Sequence, residues 1–309
     1  MKKAIRMKAA AITAFGPADA LRVMEFDAPE VRAGEVRVRV KAAGVQPADT
    51  AARGGWTPPG AEIRFPLILG NEFAGIVDQV GDGVDDFAVG DEVLGFRTLG
   101  CYAEYVTVSA DQIVRKPPGM AWEAAGALSA SGQTAHTALQ ALGVGPGDTV
   151  LIHAAAGGVG SMAVQLARAW GASVIGTASE ANHDYIRLLG AIPVRYGEGL
   201  ADRVRALAPD GVSAALDAAG GDAVDASLAL VADRSRIGTI VAYDRAEALG
   251  IQWLRSQRTA ARLAELIAMH ERGSLKVHIR SVYPLHRAAD AHRDVESGHG
   301  RGKVVLTID

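Results

Sequence analysis

A single cysteine, Cys101, stands among 309 residues. It excludes an intramolecular disulfide and any zinc site built from clustered cysteines, and it fits a reducing, cytoplasmic setting. Aromatic residues make up only 5%, no lysine- or arginine-rich run occurs, and the formal net charge is -3. That balance argues against a dedicated nucleic-acid binder and against a protein held on an anionic membrane. Long apolar runs are missing as well. The stretch from Thr149 to Ala167 carries no Asp, Glu, Lys or Arg, but His153, Gly157, Gly158 and Gly160 interrupt it. A strand, turn and helix are expected there, with no membrane span. The basic start (Lys2, Lys3, Arg6, Lys8) precedes only the short apolar run AAAITAF, and Gly16-Pro17 follows where a secretory leader would carry small residues. Secretion is therefore not expected.

What is present is an ordinary globular composition, 49% hydrophobic and 22% charged. The length exceeds what one hydrophobic core supports, so two packed units with a cleft between them are expected. VRVRVKAAGV, from Val36, alternates at period two, with Val36, Val38 and Val40 on one face and Arg37, Arg39 and Lys41 on the other. That pattern predicts a half-buried strand. Short apolar runs broken by Gly, Pro and Asp continue in FPLILGNEFAGIVDQVGDGV, GDEVLGF and YAEYVTVSADQIVRKP, a β-rich unit with no long helix before Pro117. From Trp122 strand-like and helix-like segments alternate through RIGTIVAY, which predicts a parallel sheet covered by helices. A helix, QRTAARLAELIAMHERG, and the strands KVHIRSVYPL and KVVLTID follow, the last expected to return to the β unit. No internal repeat or low-complexity linker occurs.

The sharpest motif is TVLIHAAAGGVGSMAVQLARAWGASVIGTAS. A strand from Thr149 to Ala154 runs into Ala156, Gly157, Gly158, Val159 and Gly160, then into a helix whose Met162, Val164, Leu166 and Ala167 face the sheet. A second strand starts at Ser173. Glycines let the backbone approach a pyrophosphate, and the helix start supplies free N–H groups with partial positive charge. Gly157 and Gly160 match the last two glycines of G-x-G-x-x-G, while Ala155 stands at the first. A dinucleotide site is expected; a bare scaffold is the competing reading of such a turn.

Cofactor choice is made at the end of the second strand, where an Asp or Glu would bind the adenosine ribose and repel a 2′-phosphate. Here Gly176-Thr177-Ala178-Ser179 places hydroxyls from Thr177 and Ser179, with Glu180 one step later as the opposing sign. Asn182, His183 and Arg187 are further phosphate-holding candidates or ordinary surface residues. NADPH is the expected cofactor.

Several segments in order resemble the medium-chain dehydrogenase/reductase superfamily, in its zinc-independent quinone oxidoreductase and enoyl reductase branch. They are MKAAAITAFG, AAGVQPADT, FPLILGNEFAGIV, VGDEVLGF, YAEYV, SGQTAHTAL, AAAGGVG, LLGAIPVRY and RGKVVLT, spanning nearly the whole chain from Met7. The resemblance implies an α/β protein in which a Rossmann doubly wound parallel sheet, residues 119–250, is inserted in a GroES-like β-barrel domain, residues 1–118 and 251–309. It also implies an active site in the cleft between them.

Zinc members of the superfamily carry a Cys in the segment matching AAGVQPADT and a His in the one matching GNE. This chain has Gln46 and Asn71 there, so the expected metal ligands are missing and no metal is expected. The resemblance then implies hydride delivery to a quinone or enone, with the protein orienting and stabilising charge. Gln46 is expected near the nicotinamide or substrate. Asp49 is either a proton relay or, more simply, a turn-capping carboxylate. Some relatives place a Tyr where this chain has Ala51, so solvent becomes the candidate proton donor. Thr134, Tyr196, Tyr243 and Lys303 match positions near the cofactor, each with an ordinary structural alternative. Trp56, in RGGWTPPG, is a candidate wall of the substrate pocket or a packing anchor.

Three functions stay open: NADPH-dependent reduction of quinones or activated C=C bonds, a carbonyl or alcohol dehydrogenase, and an NADPH-binding sensor or scaffold without turnover. The resemblance further implies a homodimer paired along the strand around Ile237 to Tyr243.

Overall fold

The computed structural model describes residues 5–298 and 300–309; the basic Lys2 and Lys3 lie outside them. In chain order the first strands are β1 (Arg6–Ile12), β2 (Arg22–Asp27) and β3 (Glu35–Val45), followed by helix α1 (Pro47–Arg53). Then come β4 (Leu67–Ile68), β5 (Glu72–Val80), β6 (Glu92–Phe96), β7 (Tyr105–Ser109), β8 (Ile113–Arg115), α2 (Trp122–Gly126) and α3 (Ser129–Ala141). The parallel region runs β9 (Thr149–Ile152), α4 (Gly158–Ala169), β10 (Ser173–Ala178), α5 (His183–Leu188), β11 (Ile192–Arg195), α6 (Leu200–Leu207), β12 (Ala214–Asp217), α7 (Asp222–Leu230), β13 (Ile237–Thr239), α8 (Tyr243–Leu249) and β14 (Gln252–Trp253). The chain closes with α9 (Ala260–Glu271), β15 (Ile279–Pro284), α10 (Ala288–Glu296) and β16 (Lys303–Thr307).

Two compact units result, one from Met1–Ala130, Arg258–Ala268 and Val277–Asp309, the other from Ser131–Gln257 and Met269–Lys276. These boundaries differ from 118/119 and 250/251 for identifiable reasons. The Ala130 N–H donates to Glu72 at 2.6 Å, tying residues 119–130 to the β-rich unit. β14 pairs in parallel with β13 (Gly238↔Gln252), which keeps residues 251–257 with the parallel sheet. The 269–276 segment is held there too, because Gln165 brackets Lys276 through its carbonyl oxygen (2.8 Å) and its amide nitrogen (3.1 Å).

In the β-rich unit, β3 is the hub: its first half pairs with β5 and β7, and its second half with β16. Val36, Val38 and Val40 are fully buried, as the alternation requires, and pack with Leu69, Phe73, Val93, Ile113 and Leu306. Arg37 departs from the pattern. It is 8% exposed because Asp78 on β5 takes its guanidinium through bonds of 2.8 and 3.0 Å.

The second unit is a six-stranded parallel sheet in the order β11-β10-β9-β12-β13-β14. Its strand order reverses between β9 and β12, and in such sheets the crevice at the carboxyl ends of the strands is where ligands bind. Helix α4 is buried from Gly160 to Ala167, so all its sides are covered, more than the sheet-facing stripe the sequence suggests. RIGTIVAY is a strand only to Thr239, whose hydroxyl accepts the Val241 and Ala242 N–H groups and turns the chain out of the sheet into α8. The dimer edge expected at Ile237 to Tyr243 is therefore corrected: β13 is interior, and β14 is the outer strand on that side. Among the described residues no helix is long and apolar enough to cross a membrane.

Leu69 is fully buried in the β-unit core. Leu69→Ala should lower stability by about 2–5 kcal/mol, read as a lower denaturant midpoint by tryptophan fluorescence.

Candidate functional site

The glycine turn follows from the end of β9. Ala154 adopts φ 51, a left-handed conformation, and its N–H donates to the Thr177 hydroxyl at 3.1 Å while Ala155 N–H donates to the Thr177 carbonyl at 2.9 Å. The chain then enters α4 through Gly157. A Cβ at Gly160 would lie 2.2 Å from the Ala154 carbonyl oxygen, so only glycine allows this close return of the helix onto the turn. The first turn of α4 leaves backbone N–H groups without intrahelical acceptors, the arrangement that receives a pyrophosphate. Ala156 is buried, and Gly157, Gly158 and Val159 are partly exposed. The cradle fits a dinucleotide.

Thr177 requires a correction. It is 2% exposed and its hydroxyl is committed to the Ala154 N–H, so it shapes the turn instead of meeting a ribose phosphate. The exposed end of β10 instead opens on a surface depression of about 270 Å³ lined by Ser179, Glu180, Arg195 and Tyr196. Tyr196 is 54% exposed there. Arg195 escaped the sequence reading. Its signal lay in the pairing of β10 with β11, which sets Arg195 beside Ala178. The 3.4 Å contact between Arg195 and Glu180 joins two exposed groups and contributes little. Asn182 donates to the Ser179 hydroxyl at 3.2 Å, and Arg187 pairs with Asp184.

Beneath the crevice lies a buried polar frame. Asp217, fully buried at the end of β12, accepts from Ala219 N–H, Gly220 N–H and the Thr239 hydroxyl at 2.8, 2.8 and 2.7 Å. His153 lies 3.0 Å from the Ser227 hydroxyl, and burial pushes its pKa down to about 4. Tyr243 begins α8, 59% exposed, its ring 5.8 Å from that of Trp253. Thr134 sits partly buried in α3.

In the β-rich unit a second polar cluster forms where β3 gives way to α1. Gln46 is the extended residue before the helix and Pro47 opens it. Asp49 accepts from Gln46 N–H (2.9 Å), the Tyr102 hydroxyl (2.8 Å) and the Asn71 amide (3.0 Å). The capping role foreseen for Asp49 is present. Glu72, fully buried, accepts from the Gln46 side-chain amide, from Ala130 N–H and from Lys303 Nζ at 3.0 Å. Two glycines clear the space: a Cβ at Gly44 would fall 2.0 Å from a Glu72 oxygen, and one at Gly70, φ +92, would fall 2.3 Å from the Tyr102 ring.

The sequence offers Lys303 as a cofactor contact or as an ordinary edge-strand lysine. It is 2% exposed, and its ammonium is paired with Glu72. Gln46 is likewise inward, 7% exposed, with its amide nitrogen on Glu72. Trp56 follows α1 on an open loop, 43% exposed, which does not suit a packing anchor. Cys101 is buried and its thiol pKa is pushed up to about 12 by that burial. Among the described residues no group of three or more His, Cys, Asp or Glu is placed to hold a metal ion.

A parallel sheet in dinucleotide-binding strand order with a glycine turn, in a chain that also holds a β-rich unit, defines a nucleotide-dependent enzyme class. The family model described as "Alcohol dehydrogenase GroES-like domain" matches residues 32–118, and the one described as "Zinc-binding dehydrogenase" matches residues 189–306. The human synaptic vesicle membrane protein VAT-1 homolog is 31% identical, the match covering 96% of this chain and 85% of that protein. Polyketide synthase GfsB of Streptomyces halstedii is 34% identical over 89% of this chain, a match that is only 5% of that protein. The quinone oxidoreductase structure from Coxiella burnetii superposes with a TM-score of 0.89 at 31% identity, covering 99% of this chain and 100% of the other. A mycobacterial protein solved in complex with NADPH gives 0.86 at 33% identity, covering 97% and 99%. The chain belongs to the medium-chain dehydrogenase/reductase superfamily, in its zinc-independent branch, and is an oxidoreductase of that family.

Burial raises the Asp49 pKa from 3.8 to about 6, against the opposing bonds from Tyr102 and Gln46. Between those values the folded state holds a proton that the unfolded chain has lost. The stabilisation is thus full below 3.8 and disappears as pH rises through 6, a swing of about 3 kcal/mol. Relative to Asp49→Asn, the wild type should lose denaturant resistance from pH 4 to pH 7; parallel pH profiles would contradict this.

Proposed function

We propose that this chain is an NADPH-dependent, zinc-independent reductase that passes a hydride to a quinone or an α,β-unsaturated carbonyl compound. The observation that carries the reading is the donor set around Gln46 and Asn71. Two neutral amides stand where a metal enzyme needs thiolate and imidazole, and the adjacent Glu72 is already neutralised by Lys303. Reduced nicotinamide supplies the hydride when bound. The chain's own work is to seat the pyrophosphate on the α4 turn, to hold the loops after β12 and β13 through Asp217, and to keep α1 in place through Asp49. Similarity to a quinone oxidoreductase and to a segment of a polyketide synthase supports quinones and conjugated C=C bonds as acceptors.

NADPH over NADH is supported by the depression at the end of β10, where Arg195, Ser179 and Tyr196 surround the place a 2′-phosphate would take. A neighbour solved with NADPH agrees. We place the protein in the cytoplasm, consistent with the free buried thiol of Cys101.

Purified protein should oxidise NADPH faster than NADH with benzoquinone, phenanthrenequinone, alkenals or cyclic enones, and a chelator should not slow it. Chelator-sensitive alcohol oxidation would overturn this reading, and NADPH binding without consumption of any acceptor would favour the sensor. Arg195→Glu should weaken NADPH binding roughly tenfold, about 1.4 kcal/mol, with little change for NADH; equal losses for both would remove Arg195 from the 2′-phosphate site.

We also infer a homodimer in which a second copy adds its β14 to the open edge of this one, where Trp253 and Tyr243 are exposed at 44% and 59%. Light scattering at micromolar concentration should give twice the 32.1 kDa chain mass; a monomer rules the pairing out.

A further inference from the structure

Arg258 is a cation held by carbonyl oxygens. Its guanidinium donates to the Asn71 carbonyl oxygen at 2.7 Å, reaches the Asn71 side-chain oxygen at 3.5 Å and the Arg97 carbonyl at 3.5 Å, and lies 5.3 Å from the centre of the Phe96 ring. Among the described residues no carboxylate lies within ion-pairing distance of it. Burial lowers its pKa, while Glu72 and Asp49 act from farther off. Both carboxylates are already served, Glu72 by Lys303 and Asp49 by three donors.

The Asn71 amide is oriented by this arrangement. Its nitrogen donates to Asp49, which turns its oxygen toward Arg258. Carbonyl oxygens hold the guanidinium in place but do not cancel a full positive charge, and a desolvated guanidinium favours a planar anionic oxygen. Asn71 is also the position where the metal members that the sequence resembles carry a zinc-binding His.

We propose that Arg258, held by Asn71, binds the carbonyl oxygen of the acceptor and stabilises the negative charge that reduction places on it. This rests on the reductase reading above. In reduction of an enone, hydride from the reduced cofactor forms a C–H bond at the β-carbon. The C=C π pair shifts toward the carbonyl, leaving an enolate oxygen and oxidised cofactor, and water later protonates the α-carbon. A quinone instead takes the hydride on one carbonyl oxygen, forming an O–H bond, while the ring π pairs shift and leave the charge of the hydroquinone monoanion on the other oxygen. The guanidinium meets the charge at the oxygen, where electrostatic stabilisation counts most.

The test uses 4-nitrophenol, whose phenolate mimics the enolate oxygen and reports its own ionisation by colour. Full-length protein saturated with NADP⁺ should bind it as the phenolate and lower its apparent pKa. Arg258→Gln should weaken that binding at least tenfold with NADP⁺ affinity unchanged, and Arg258→Lys should recover part of it. Phenolate binding within twofold of wild type in Arg258→Gln overturns the proposal. Should Arg258→Gln not fold, wild type still decides: it must prefer the phenolate at least tenfold over neutral 4-nitroanisole, and equal binding overturns the proposal. Arg258-dependent phenolate binding in a protein that reduces no acceptor would sink the reductase reading while leaving the anion site standing. Turnover with unchanged phenolate binding in Arg258→Gln would do the opposite.

Discussion

A carboxylate sealed from water governs the β-rich unit. Glu72 has no exposed surface, and an unpaired charge in that position would cost several kcal/mol. Its compensation comes from three separate parts of the sequence: the Gln46 amide at the start of α1, the Ala130 N–H at the start of α3, and the Lys303 ammonium on the last strand. Satisfying that one group sets where α1 begins and brings β16 against β3. The Asp49 cluster then follows, because Gln46 is shared between the two carboxylates.

The parallel sheet solves a different problem, receiving a polyanion with no fixed cation at the turn. Its means are backbone geometry: a left-handed Ala154, a glycine where any side chain would strike a carbonyl, and a helix start held open by Thr177. At the rim, the depression after β10 is lined by a cation, Arg195. Buried Thr177 builds the cradle, while Ser179, just past the end of β10, lies on the rim of the depression.

Local pattern made the architecture legible. Period-two alternation marked β3, and strand-turn-helix order marked the nucleotide turn, because both signals lie within a dozen neighbouring residues. What escaped depends on partners distant in sequence. Arg37 reads as a surface residue until Asp78 appears beside it, and Lys303 reads as an edge lysine until Glu72 does. Thr177 was identifiable as a hydroxyl at the right strand end, but its direction is decided by the Ala154 N–H. Tyr243 looked like the end of a strand because the turn is made by the Thr239 side chain, which hydropathy does not register. The motif segments marked Gln46 and Asn71 as amides in place of ligands; their hydrogen-bond partners required coordinates.

The divided β sheet also has a consequence for synthesis. β3 emerges from the ribosome with its last stretch, Ala42 to Val45, lacking the pairing that β16 supplies. Every residue of the parallel sheet is made in the interval, so the later unit can be complete while the earlier one still waits with an open edge and with Glu72 lacking its Lys303 ammonium. Vectorial synthesis thus lets the parallel sheet be finished before the β-rich unit whose segments flank it, and β16 acts as the closing stitch of that unit.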